Sequence, residues 1–260
     1  MKKVRKCSKA ALLISSVLLS SNIAYANNAE DRYIYIGTEL GLSEPVVKEF
    51  LDEDTNANFR LKQSRMFGGR VGYSFYPSMM VEVSGTYQPN YGLAFVLPEI
   101  ETGIVHTLAG AINIPKTPGR TKISAQVYTL NWIYEFSEQF AGIKPYAILG
   151  AGFARIHIKP TTVTTNALSM VPSIGNNFEY FKIKKNLINC FVWQAGAGIT
   201  KDLSENISID FGAKLQVVND IKVKYDTYDM QAQSFVPQKP IKKTIGVGEF
   251  TLGFTFKLPV

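Results

Sequence analysis

Residues 245–258 read IGVGEFTLGFTFKL, and their alternation decides the fold class. From Phe250 onward every second residue is large and apolar, and the residues between them are small or polar. A period of two residues is typical of a β-strand with one apolar and one polar face. In a soluble β-sandwich the apolar face points into the core. In an outer-membrane barrel the same face contacts lipid, and the polar face lines the lumen.

The first 26 residues predict a cleaved secretory signal peptide. Residues 1–9 carry five basic residues and no acidic residue, residues 10–19 form a short apolar run, and an A-x-A pattern ends at Ala26. The apolar run is too short for a transmembrane helix. We therefore expect an exported mature chain that begins at Asn27 and forms one domain, residues 27–260.

The composition of the mature chain excludes several classes of site. The whole chain has 28 basic and 21 acidic residues, a formal net charge of +7. Five of the basic residues belong to the predicted signal peptide, so the mature chain has 23 basic and 21 acidic residues, a net charge of +2. A nucleic-acid partner requires a concentrated basic face, which this balance does not favour. Cys190 is the one cysteine after export, which excludes an internal disulfide and a cysteine metal cluster.

Eight segments of the mature chain alternate with a period of two. They lie at residues 33–42, 63–76, 79–87, 122–136, 144–158, 189–200, 207–218 and 245–258. Their length of about 10 to 14 residues suits a tilted strand that crosses a bilayer. The connections alternate between long and short, and the long ones, such as the proline-rich residues 88–121, are predicted to be loops. The pattern predicts an all-β fold, an eight-stranded antiparallel transmembrane β-barrel with long external loops and short periplasmic turns.

Charged residues recur on the polar faces of these strands. They are Glu39, Arg70, Glu82, Glu135, Asp210, Lys214 and Glu249. The interior of an eight-stranded barrel is just wide enough to be filled by side chains. We expect these acids and bases to pair across the lumen and hold the barrel shut. The alternative is a gated polar path through the barrel.

Three stretches resemble a known family. They are PYAILGAGFA at residues 145–154, WQAGAGI at residues 193–199, and the aromatic closing strand. All three resemble the small outer-membrane β-barrel family, which includes the OmpA transmembrane domain, OmpX, and the Opa- and Adr-type surface adhesins of Gram-negative pathogens. The resemblance implies insertion by the barrel-assembly machinery, with an assembly signal in the last strand that usually ends on an aromatic residue. The matching residues are Phe250, Leu252, Phe254 and Phe256, and four more residues follow Phe256.

Catalytic motifs are absent from the sequence. It contains no H-E-x-x-H, C-x-x-C, P-loop or G-x-S-x-G pattern, and we expect no enzyme activity, no cofactor and no metal. Some small barrels modify lipid A with a surface histidine, a serine and an acid. His157, followed by Ser169, Ser173 and Glu179, supplies these residue types, so a lipid-A-modifying enzyme remains the third-ranked alternative.

The predicted external loops carry lysines interleaved with aromatic residues. The candidate contact residues are Lys182, Lys184, Lys185, Lys222, Lys224, Lys242 and Lys243. Such loops suit contacts with proteins or polyanions, and the same lysines also suit contact with anionic lipopolysaccharide. We expect a monomeric outer-membrane surface antigen or adhesin of a Gram-negative bacterium, surrounded by lipid and lipopolysaccharide, whose loops contact host or extracellular proteins. The second alternative is a conduit for small solutes or hydrophobic molecules of the OmpW type.

Overall fold

The computed structural model describes residues 32–47, 49–51, 58–97, 100–107, 110–114, 116–136, 142–165, 178–229 and 232–260. The predicted signal peptide lies outside the described residues. The strands are β1 (Tyr33–Pro45), β2 (Glu49–Leu51), β3 (Asn58–Leu61), β4 (Ser64–Tyr76), β5 (Met79–Leu97), β6 (Ile100–Thr107), β7 (Gly110–Ile114), β8 (Thr117–Glu135), β9 (Ile143–Ile158), β10 (Thr161–Thr165), β11 (Phe178–Ile183), β12 (Asn186–Asp202), β13 (Ile207–Val223), β14 (Tyr225–Asp229), β15 (Ser234–Pro237) and β16 (Ile241–Pro259). The described residues include no helix long and apolar enough to cross a membrane.

Eight of these strands form a closed antiparallel ring. The order around the ring is β1, β4, β5, β8, β9, β12, β13 and β16. The ring closes where β16 pairs with β1, from Tyr33 opposite Pro259 to Pro45 opposite Val247. Each strand therefore has a hydrogen-bonded neighbour on both sides, which leaves no open sheet edge. The prediction of an eight-stranded antiparallel barrel is confirmed.

A belt of apolar side chains surrounds the barrel. Each ring strand contributes to it with side chains that point outward and are 52–62% exposed. One example from each strand, in ring order, is Leu40, Val71, Val83, Leu130, Leu149, Phe191, Phe211 and Phe254. Water would not tolerate so continuous an apolar surface, whereas the hydrocarbon of a bilayer does. We call this surface the lipid belt, and it confirms the transmembrane character of the barrel.

The connections differ in length at the two ends of the barrel. Pro77 and Ser78 join β4 to β5, and residues 203–206 join β12 to β13. The connections at the opposite end are long and contain β2, β3, β6, β7, β10, β11, β14 and β15. Short turns at one end and long connections at the other are typical of outer-membrane barrels, as predicted.

The interpretation of the long connections as loops is wrong for much of their length. β5 continues to Leu97 and β8 begins at Thr117, so both enter the segment predicted to be a loop. Pro89 is tolerated because it lies where the pairing of β5 with β8 shifts register, between Gln88 and Tyr91. At such a bulge the missing N–H of proline interrupts no ladder hydrogen bond.

The barrel reverses its polarity above the lipid belt. On β8, Leu130 and Trp132 point outward, while Asn131 is buried in the lumen. Farther from the turn end of the same strand, Lys122 is exposed and Ile123 is buried. The outer half of the barrel therefore has an apolar interior and a polar wall, the arrangement that an aqueous environment favours.

A second sheet adds to the apolar interior of the outer half. It has the antiparallel order β10, β11, β14, β15. Phe181, Ile183 and Tyr225 from this sheet are buried and belong to the same hydrophobic cluster as Phe95 of β5. The ring therefore continues beyond the lipid belt as a packed β-structure.

Candidate functional site

An ion-pair cluster around Arg70 occupies the lumen near the turn end of the barrel. The Arg70 guanidinium on β4 donates two hydrogen bonds to Asp210 on β13, and a third, of 2.7 Å, to Thr255 Oγ1 on β16. Its Nε lies 3.8 Å from Glu82 Oε2 on β5. Glu82 also accepts a hydrogen bond of 3.0 Å from the Tyr35 hydroxyl on β1. The cluster therefore joins side chains of five strands, β1, β4, β5, β13 and β16.

A second buried cluster lies next to the first. Lys214 Nζ on β13 is 2.9 Å from Glu39 Oε2 on β1. Glu249 on β16 accepts a hydrogen bond of 2.7 Å from Gln88 Nε2 on β5. All four side chains are buried, so their charges and dipoles interact in an environment that screens them weakly.

Neutral side chains complete the polar layer. Gln194 Nε2 donates to Asn131 Oδ1 at 2.7 Å, and Gln216 Nε2 donates to Gln194 Oε1 at 3.3 Å. Gly150 provides space for this hydrogen-bonded network, because a Cβ there would overlap the Asn131 side chain. These amides are not among the lumen residues predicted from the sequence, which are all charged. Their positions in the alternation, on the side of each strand that faces the lumen, could have identified them.

Of the seven predicted lumen charges, six lie in these two clusters. Glu135 lies apart from them, at the turn end of the barrel, 3.5 Å from Lys144 Nζ. Lys144 is also 3.0 Å from Asp202, which in turn pairs with Lys257. Glu135 thus belongs to a group of charges that ties strand ends together.

Two cavities lie on opposite sides of the polar layer. The one toward the turn end has a volume of about 50 Å³ and is lined by polar residues such as Arg70 and Glu82 and by apolar residues such as Met80 and Ile133. The one toward the external sheet has a volume of about 60 Å³ and an apolar wall that includes Leu93, Ile156 and Val223. The two share no lining residue.

Comparison with known proteins identifies a relative. No family model matches the chain. The uncharacterized protein RP788 of Rickettsia prowazekii (strain Madrid E) is 40% identical over 194 residues, which are 75% of this chain and 99% of the relative. The chain belongs to the RP788 family. The closed ring and the lipid belt place this family among the small outer-membrane β-barrel proteins.

Solved barrels align with the chain at low sequence identity. Neisserial surface protein A aligns with a TM-score of 0.46 and 13% identity, over 89% of this chain and 100% of its own. The outer membrane protein OprG of Pseudomonas aeruginosa aligns with a TM-score of 0.49 and 15% identity, over 89% of this chain and 98% of its own.

The seven loop lysines of this RP788-family chain have different environments. Lys182 lies on β11 of the external sheet, with Nζ 5.7 Å from the centre of the Phe235 ring. Lys184 pairs with Asp226 at 3.0 Å, and Lys243 lines the apolar cavity. The other four are exposed: Lys185, Lys222, Lys224 and Lys242. Only part of the set therefore shares a surface.

The remaining predicted residues fall in three places. The closing-strand residues Phe250, Leu252, Phe254 and Phe256 are all exposed in the lipid belt. His157 lies on β9 opposite Ser124, and Glu179 lies on β11. Ser169 and Ser173 lie outside the described residues. Among the residues that the structure describes, no group of three metal-ligating side chains occurs.

Lys214→Met should lower the free energy of unfolding by about 3–5 kcal/mol, because it leaves the Glu39 carboxylate buried without its ion-pair partner. Urea unfolding of the protein in phosphatidylcholine vesicles measures this change. The double variant Glu39→Met/Lys214→Met removes both charges and should recover most of the loss. Equal losses in the single and double variants would show that the pair does not control stability.

Proposed function

We propose that this protein is a surface antigen or adhesin that uses its external sheet, β10–β11–β14–β15, to contact host or extracellular proteins. The proposal includes export through cleavage of the segment that ends at Ala26 and insertion by the barrel-assembly machinery. It assigns the barrel itself a structural role as the membrane anchor of that sheet.

The observation that carries the proposal is the contrast between a lumen crossed by buried ion pairs and an external sheet packed on an apolar core. The two cavities of the lumen are small and share no lining residue, which supports a structural role for the barrel. The external sheet instead rests on a packed apolar core through Phe181, Ile183 and Tyr225. Because it is supported in this way, the sheet presents its outer face without a large ordering cost on binding.

The external sheet also combines partly buried aromatic rings with an exposed cation. Phe178 and Tyr228 pack edge to face with ring centres 4.8 Å apart, and Tyr228 and Phe235 do so at 5.5 Å. Lys182 lies over the Phe235 ring. Aromatic residues supply large contact areas at protein interfaces, and a basic rim favours acidic partners. This surface therefore suits a protein partner with acidic side chains.

Lys182→Glu and Phe235→Ala should each reduce adhesion to cultured host cells by about fivefold or more, since residues central to an interface contribute over about 1 kcal/mol. The assay counts adherent bacteria of a non-adherent strain that displays each variant. Lys201→Glu has the same charge change but lies on β12 near its turn end, and should adhere like the wild type. Unchanged adhesion of both sheet variants would reject the external sheet as the contact surface.

A second candidate function is the binding of an apolar molecule in the cavity beneath the external sheet. Its apolar wall favours this reading, and Lys243 supplies one cation at its edge. Its volume of about 60 Å³ is small compared with the dry cavity of about 150 Å³ that is known to bind benzene. An alkyl chain would therefore enter only if the surrounding strands moved apart, which is why this function ranks second.

Ile156→Trp, which fills the cavity, should abolish cross-linking of a photoactivatable fatty acid to the peptide that contains Leu93, because no apolar space remains there. Mass spectrometry of the protein in lipid nanodiscs locates the cross-links. Ile36→Trp in the lipid belt should leave that cross-link unchanged. Cross-links confined to belt residues in the wild type would eliminate this candidate.

A further inference from the structure

Six lysines occupy the outer wall of the barrel above the lipid belt. They are Lys62, Lys122, Lys159, Lys185, Lys222 and Lys242, and we call them the lysine girdle. Lys122, Lys222 and Lys242 lie on β8, β13 and β16. The other three, Lys62, Lys159 and Lys185, lie in short connections between strands, and all six are exposed. Three of them, Lys185, Lys222 and Lys242, are also among the predicted loop contact residues. The register of the strands is what brings the six into one zone.

Neighbouring members of the girdle lie on adjacent strands. Lys222 stands directly opposite Lys242 in the pairing of β13 with β16. The Lys159 N–H donates to the Lys122 carbonyl at 3.0 Å, which places these two side by side as well. On the other side of Lys122, Gly92 separates it from Lys62, whose N–H donates to the Gly92 carbonyl at 2.8 Å.

Like charges that face each other across strands are destabilising unless an anion neutralises them. In the part of the chain that the structure describes, no salt bridge involves a girdle lysine. The nearby Asp226 already forms a salt bridge with Lys184, which is not a girdle lysine, at 3.0 Å. Asp220 is exposed two residues before Lys222 and is the carboxylate that stands nearest to it in sequence. The girdle therefore retains a strong excess of positive charge.

Two girdle lysines lie at a similar distance from the belt, one on β8 and one directly after β9. Lys122 and Lys159 are each six residues beyond the outermost belt residue of these strands, Tyr128 and Phe153 respectively, whereas Lys185 lies two residues beyond the exposed Leu187 of β12. Six residues span about 20 Å along a strand, or about 15 Å above the belt at a tilt of 35–45°. The polar headgroup layer of a phospholipid leaflet extends only about 5–8 Å. Lys122 and Lys159 thus lie above phospholipid headgroups.

We propose that the lysine girdle binds the phosphorylated core sugars of the lipopolysaccharide molecules that surround the barrel. The lysines follow the wall from β8 through β9, β12 and β13 to β16, parallel to the lipid belt. A partner that encircles the wall fits this distribution, whereas a single docked protein would contact one side. Phosphate groups on an extended glycolipid reach the height of the girdle and supply the missing negative charge.

The test compares two matched sets of four lysine-to-glutamine changes in the mature protein in phosphatidylcholine nanodiscs. The girdle variant changes Lys122, Lys159, Lys222 and Lys242. The control variant changes Lys116 and three lysines at the turn end of the barrel, Lys144, Lys201 and Lys257. Binding of purified lipopolysaccharide should weaken about tenfold or more in the girdle variant, given the contribution of each lysine near an anionic surface. The control should bind like the wild type.

Two arms with the wild-type protein keep the test valid even if the girdle variant fails to fold. Enzymatic removal of the core phosphates should weaken binding of the lipopolysaccharide to a similar degree, and added salt should weaken binding of the intact form. Phosphatidylglycerol in place of lipopolysaccharide should not reproduce the intact affinity. Equal binding of intact and dephosphorylated lipopolysaccharide, equal binding of phosphatidylglycerol, or unchanged binding by a folded girdle variant would each overturn the proposal.

Discussion

The structure depends on one constraint, that every backbone N–H and C=O group within the bilayer needs a partner in the protein. An open sheet leaves two edges unpaired in hydrocarbon, at several kcal/mol for each group. Pairing of β16 with β1 removes both edges along the length of β1. Once the ring is closed, the period of two residues makes apolar side chains face the lipid and polar side chains face the lumen. The lumen then has to be filled, and the ion-pair clusters around Arg70 and Lys214 fill it.

The same ring passes through two solvents, and its side chains change accordingly. Within the belt the interior is polar because the exterior is lipid. Above the belt the interior becomes apolar because the wall faces water. The change gives the outer half a core of its own, on which the external sheet packs through Phe181 and Tyr225. It also gives the wall its basic surface. The membrane anchor, the polar lumen and the two proposed contact surfaces all follow from this one reversal.

The sequence predicted the membrane half of the barrel well, because there each strand alternates without interruption, as in residues 250–258. The outer half was not predicted, because there the apolar residues point inward and the polar residues point outward. Bulges also shift the alternation, between Gln88 and Tyr91 on β5 and between Val218 and Ile221 on β13. The charged lumen residues could be predicted because charges on the polar face of a strand are easily recognised. The network around Gln194 consists of neutral amides and was not predicted. The lysine girdle depends on strand register, which one sequence does not specify.

A spin-label scan of β8 would show directly whether the polarity of a single strand reverses above the lipid belt. Single cysteines are introduced from residue 118 to residue 134 in a Cys190→Ser background, and each nitroxide is probed with oxygen, which concentrates in lipid, and with a water-soluble nickel complex. We expect oxygen contact at positions 128, 130 and 132, nickel contact at 120, 122 and 126, and protection from both reagents at 123, 125 and 127. Mobile labels without a period of two over residues 118–126, or oxygen contact that continues to residue 120, would show that the polarity of β8 does not reverse.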